Sequence, residues 1–260
     1  MLTDILYSMN EWLLFGIISV LFFLASEVGF QIGRIRRADV DESGKSQINT
    51  LQAAILGLLA LLLGFTFSMV LSRFDARKQM VLEESNAIGT CYLRAQMLPE
   101  PQKTEISKLL RQYVDVRLEV VRTGNLQEIV SRSEKLHDQL WSQAVATEKK
   151  EPQRLITLLF IQSLNDVIDI HSGRLRAVLD QVPDMVWVLL FVLTIFAMGM
   201  IGFGSGLGKG HQLIPRLVVA VLIALVVLVI MDLGQPQRGL IRVSQQSMMM
   251  LRDSINRPAP

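Results

Sequence analysis

The sequence predicts an all-α integral membrane protein with four membrane-spanning helices, arranged as two hairpins around a helical extramembrane insert. Three observations carry this. Half of the 260 residues are hydrophobic, too large a share for an ordinary soluble domain. The apolar residues are gathered into four blocks, each near the ~20 residues that cross a hydrocarbon core roughly 30 Å thick. The long stretch between the second and third blocks is charged and helically patterned, without the period-two alternation of strands.

The first block runs from Trp12 to Gly33 and is interrupted only by Glu27. No basic residue precedes it and Ser26-Glu27-Val28 is a poor cleavage site, so it reads as a retained anchor. The second is uncharged from Ser46 to Ser72 and the third from Met185 to Gly208. The fourth runs from Gln212 to Met231, with Arg216 near one end and Asp232 at the other. The polar loop Arg34 to Lys45 joins the first pair, and the glycine-rich stretch Gly202 to Gly210 reads as the turn of the second. The organisation is therefore 1–72 first hairpin, 73–184 insert, 185–233 second hairpin and 234–260 polar tail.

The insert carries 16 Lys/Arg and 16 Asp/Glu. The second membrane helix is expected to continue into it unbroken until Pro99 and Pro101, with Thr104 and Ser107 placed to cap the next helix. Ile106, Leu109, Leu110, Tyr113 and Val120 give that helix an apolar face. Gly124-Asn125 marks a turn, a further helix reaches Thr147, and Glu148 to Pro152 breaks the chain. A last helix spans Gln153 to Val182. Its Leu164, Ile168, His171, Leu175, Val178 and Val182 form a seam for another helix, within the bundle or in a second subunit. His171 in that seam reads as a buried or interfacial hydrogen-bonding group.

Chemistry is sparse. Net charge of +2 gives no case for nucleic-acid binding. Cys91 is the single cysteine and His137, His171 and His211 are scattered, so no metal or cofactor is expected. Residues 202–210 lack the glycine spacing and the Ser/Thr of a phosphate loop. Asp166 and Asp169 share a helix face with Arg174 and Arg176 close by, which reads as a charge network. No catalytic set is present, and the chain is not expected to be an enzyme. Ionisable groups at membrane depth are the informative ones. Glu27 is a candidate for anchoring or gating, and Asp232 for a turn-capping role. The second helix is the best pore-lining candidate: Leu61, Phe65 and Met69 repeat at i,i+4 with Gly57 one turn before. Rings of such side chains gate by dewetting.

The stretch Leu63 to Arg77 resembles the second membrane helix of bestrophin channels through Leu63, Gly64, Phe65, Ser68, Arg73, Phe74, Asp75, Ala76 and Arg77. The full pattern is closer to a bacterial family of unknown function labelled bestrophin-like. Its signature after the first helix is matched by Glu27, Gly29, Gly33 and Arg34. Its ending is matched by Asp232, Leu233, Pro236, Gly239, Ile241, Val243 and Ser244. The resemblance implies a homo-oligomer in the lipid bilayer around a pore lined by Gly57, Leu61, Phe65 and Met69. Together with the charge and seam readings above, the expected gating or interface residues are Glu27, Arg73, Arg77, His171 and Asp232, with small anions as candidate permeants. The calcium-clasp acidic run of animal bestrophins is missing. The expected location is the bacterial inner membrane. Orientation by charge is open, because the first-helix rule and the count over all helix flanks disagree; the resemblance favours cytoplasmic termini and insert. The competing reading is a membrane sensor or scaffold whose insert binds a partner.

Overall fold

A computed structural model describes residues 9–123, 125–150, 154–180, 182–208, 213–235 and 241–257. Gly124, Pro152, Lys209, Gly210, His211, Pro236 and Gly239 lie outside them, as does the side chain of Val120. Among the described residues all regular structure is helical. The helices are α1 (Glu11–Arg36), α2 (Glu42–Ala95), α3 (Gln102–Thr123), α4 (Leu126–Lys150), α5 (Leu155–Leu179), α6 (Asp184–Leu207), α7 (Leu213–Gly234) and α8 (Gln246–Ile255). Four of the helical stretches are long and apolar enough to cross a membrane. The chain divides into two units. One contains residues 1–73 and 181–241, and the other residues 74–180 and 242–260.

In the first unit, the order of packing differs from the order along the chain. α1 lies chiefly against α6 and next against α7. Glycines make the α1–α6 approach possible. A Cβ at Gly29 would lie 2.8 Å from the carbonyl carbon of Gly199, and one at Gly206 2.7 Å from the backbone nitrogen of Arg34. Residue numbers rise together along both helices, so the pair is parallel, and each helix contributes a small-xxx-small stretch, Gly29/Gly33 and Gly202/Gly206. Such stretches let backbones touch where lipid supplies no hydrophobic drive between helices. Gly202, Gly204 and Gly206 were expected in a turn. They are helical instead, because α6 runs on to Leu207; the missing side chains of Gly202 and Gly206 serve the contact with α1, whereas Gly204 faces Gln52 of α2.

Side-chain caps explain where several helices start. The Asn10 side chain accepts from the Trp12 and Leu13 backbone nitrogens at 3.0 and 3.4 Å. Asp41 accepts from Gly44 N at 2.7 Å, and Asn125 from Glu128 N at 3.3 Å. These partners satisfy donors that a first helical turn leaves open. α3 begins at Gln102, earlier than Thr104 would allow as its cap. The Glu100 carboxylate takes that role, accepting from Thr104 N at 3.3 Å and Thr104 Oγ1 at 2.8 Å; a carboxylate also suits the positive end of the helix dipole.

The second unit is a helical bundle. Its core joins Ile88, Cys91 and Ala95 of α2 to Ile106, Leu110 and Tyr113 of α3, Leu140 and Ala144 of α4, and Phe160, Leu164 and Val167 of α5. α8 closes one side through Met248 and Ile255. It is tied down where Tyr92 Oη and Arg111 Nε donate to the Ile255 carbonyl at 3.2 and 3.0 Å. The α5 seam is buried at Leu164 and His171, but Val167 and Arg174 complete the inward face and the helix ends at Leu179.

Candidate functional site

Within the first unit, α2 is the least covered of the apolar helices. Leu59, Thr66 and Val70 form its buried stripe. The opposite side carries the residues expected to line a pore. Leu61 is 54% and Phe65 66% exposed, with Gly57 exposed and Met69 half-buried. A Cβ built on Gly57 or Gly64 meets nothing within 4 Å, in contrast to the α1 and α6 glycines.

Two ionisable groups of the membrane-spanning helices, Glu27 and Arg216, form a pair. Arg216 of α7 is only 1% exposed, and its guanidinium lies 3.1 Å from the Glu27 carboxylate. It donates to the Ser26 carbonyl at 3.3 Å and sits 4.2 Å over the Phe30 ring. Gln31 donates to the other Glu27 oxygen at 3.4 Å. A charge in hydrocarbon is tolerated when it is paired and bonded in this way. Asp232 is also buried, and its Oδ2 accepts from Ile241 N at 2.9 Å. Arg216 was not singled out in the sequence. The available signal was its sign: it is the one cation inside the fourth apolar block, opposite to Glu27 in the first.

The second unit holds a buried polar centre around Glu84, a residue the sequence reading passed over. Arg174 Nη1 donates to Glu84 Oε2. Arg117 Nε lies 2.8 Å from Oε1, and Tyr113 Oη donates to the same oxygen at 2.8 Å. Arg174 Nη2 also donates to Gln245 Oε1 at 3.0 Å. Burial by itself raises the Glu84 carboxyl, but the two guanidiniums and their hydrogen bonds outweigh it and hold the group below its ordinary value. Tyr113 is pushed well up by burial and by the Glu84 charge. His171 Nδ1 lies 3.2 Å from Tyr113 Oη, and the His137 ring packs tilted against Tyr113 with ring centroids 4.8 Å apart. Thus His171, expected to be a buried or interfacial hydrogen-bonding group, is buried, and its partners Tyr113 and His137 come from two other helices that no local pattern links to it. Glu84 did leave one trace: it falls in register with the buried Val81, Ile88 and Cys91. Arg77 is buried and Arg73 half-buried. Among the described residues no group of three or more His, Cys, Asp or Glu is placed to hold a metal ion.

Four apolar helices, with the second running on into a helical bundle, define a polytopic α-helical membrane protein. The bestrophin-like domain model matches residues 20–248, and the chain belongs to that family. The fold is similar to the crystal structure of a bacterial bestrophin homologue from Klebsiella pneumoniae carrying a single substitution. The TM-score is 0.62 at 14% identity, over 91% of this chain and 97% of that one. No curated protein matches the chain.

Proposed function

We propose that this chain is one subunit of an oligomeric ion-conducting pore, with the uncovered face of α2 turned to the axis. The observation that carries the reading is the row Gly57, Leu61, Phe65 and Met69, apolar and left largely open by the rest of the first unit. Copies of this row around an axis make a hydrophobic constriction that passes ions only when wetted. Family membership supports a channel-like role. Glu27, Arg73, Arg77 and Asp232 then act as structural or gating residues behind the constriction, and small anions are the permeants to test first. The termini and the insert are placed on the cytoplasmic side of the inner membrane, and a reporter fused to the C-terminus checks that placement.

The test is ion flux in liposomes containing the purified full chain, together with its oligomeric state. Expected are a closed ring of subunits, measurable flux, and a higher conductance for Phe65→Ala as the neck widens. A monomer or dimer that passes no ion at any salt or pH would sink the proposal. In that outcome the alternative gains ground: a membrane-anchored sensor or scaffold using the exposed apolar side chains of the bundle, such as Leu93, Met97 and Leu155.

A further inference from the structure

The polar centre of the second unit contains two histidines that the pore reading does not use. His137 on α4 and His171 on α5 meet edge to face, with ring centroids 4.9 Å apart. They are 7% and 5% exposed. The groups facing them come from every packed element. α2 brings Glu84, with Arg77 buried two turns earlier on the same side of that helix; α3 brings Tyr113 and Arg117; α5 brings Arg174. α4 adds Asp138, which is exposed, and the segment before α8 adds the neutral Gln245. Around Glu84, two guanidiniums share one carboxylate.

Hydrogen-bond direction fixes one tautomer. Tyr113 Oη spends its single proton on Glu84, so at His171 it accepts, and the proton must sit on Nδ1. His171 Nε2 is then a bare lone pair, fully buried and without a protein partner; His137 Nε2 is likewise unpartnered. Each neutral ring therefore keeps one basic nitrogen, Nε2 in His171, where a proton could be added. The added charge would find no carboxylate of its own, because Glu84 is already shared by Arg117 and Arg174.

We propose that the His137–His171 pair is a proton-operated release for the extramembrane bundle. With neutral rings, the pair completes the packing of α3, α4 and α5. One proton taken from water onto either ring adds a third cation beside Arg117 and Arg174, and the core opens so that water can solvate it. The inference rests on the second unit alone and stands whether or not the protein conducts ions.

Burial first, and Arg117 next, hold both imidazoles at about 4, against 6.5 for a free ring. The sign follows from proton linkage. Between pH 6.5 and pH 4 the open form binds more protons than the closed one, so acidification favours opening. Each linked proton shifts the open-to-closed ratio about tenfold per pH unit, so two linked protons approach a hundredfold.

Hydrogen exchange on the full chain in lipid nanodiscs, corrected for the intrinsic pH dependence of exchange, tests this. Peptides from α4 and α5 are expected to stay protected at neutral pH and to lose protection below about pH 6, more steeply than tenfold per unit. His171→Gln should halve that logarithmic slope, and the double variant His137→Gln/His171→Gln should remove it. Unchanged wild-type protection down to pH 4.5, or an equal acid loss in the double variant, overturns the proposal. If the variants do not fold, imidazole NMR signals of the wild type decide. Titration in step with the loss of protection supports the switch, whereas either buried ring titrating near 6.5 inside a protected bundle overturns it.

Discussion

Gly202→Ala isolates the contact that organises the first unit. The added Cβ would lie 2.7 Å from the Ser26 carbonyl carbon and 2.9 Å from Phe30 N, and closer still to the Ser26 carbonyl oxygen, where ordinary contact begins at 3.4 Å. All of these atoms are backbone of α1, so no rotamer change relieves the clash and the helices must separate by at least about 0.7 Å. A radial gap of about 0.5–1 Å forfeits a quarter to a half of each dispersion contact along an interface. Overpacking of this kind costs about 1–3 kcal/mol, and the upper end is expected because the whole α1–α6 seam is affected. Gly16→Ala on α1 is the control, since a Cβ there meets nothing within 4 Å; exchange of Gly for Ala in an open helix interior is neutral or favourable. Unfolding by SDS titration from mild detergent micelles measures both. Gly202→Ala should unfold at distinctly lower denaturant and Gly16→Ala should match or exceed the parent. Equal midpoints for the two variants would refute the argument that a backbone contact at Gly202 organises the seam.

Further outcomes follow from the same geometry. Glu27→Gln leaves Arg216 buried without its counter-charge and should cost about 3–5 kcal/mol, whereas Glu27→Gln/Arg216→Met should recover much of that loss in the same titration. Glu84→Gln strands Arg117 and Arg174 and should lower stability by about 3–5 kcal/mol. Because the folded Glu84 carboxyl is held below its ordinary value, its contribution is present above pH 4.5 and fades as pH falls further; a stability series against pH shows whether the wild type loses more on acidification than the Gln variant. Tyr113→Phe removes the hydroxyl joining Glu84 to His171 and should cost about 1–3 kcal/mol, read from the bundle's thermal midpoint. Cys91 is buried and its thiol is pushed up to about 12, chiefly by burial, so alkylation at pH 8 should label it only after unfolding. Rapid labelling of the native protein would show that the α2–α3–α5 core opens readily.

The amino-acid sequence determined the class of this protein by itself. Four apolar blocks of membrane length, two of them uncharged and two carrying a single charge, need no partner to be recognised, because the cost of leaving a backbone polar group unbonded in lipid makes each one a helix. The uninterrupted run from Ser46 past Arg77 likewise indicated that α2 continues beyond its apolar segment as one helix, since neither Pro nor a Gly pair breaks it. The small residues around Gly202 were legible as a glycine-rich stretch, but their partner was not. Chain order suggested a contact across a turn, whereas Gly202 and Gly206 of α6 pack against the backbone of α1, and only the fold brings those backbones together. Glu27 was legible as an ionisable group at membrane depth, yet its pairing with Arg216 spans nearly two hundred residues and depends on how α1 and α7 lie together. The Glu84 centre is the fullest example. An acid next to another, Glu83, in an amphipathic stretch reads as solvated, and Glu84 is tolerated in the core only because Arg117, Arg174 and Tyr113 arrive from two other helices. Local propensity and hydropathy act over one or two turns and are written in the chain, whereas charge compensation acts through space and is decided by the tertiary structure.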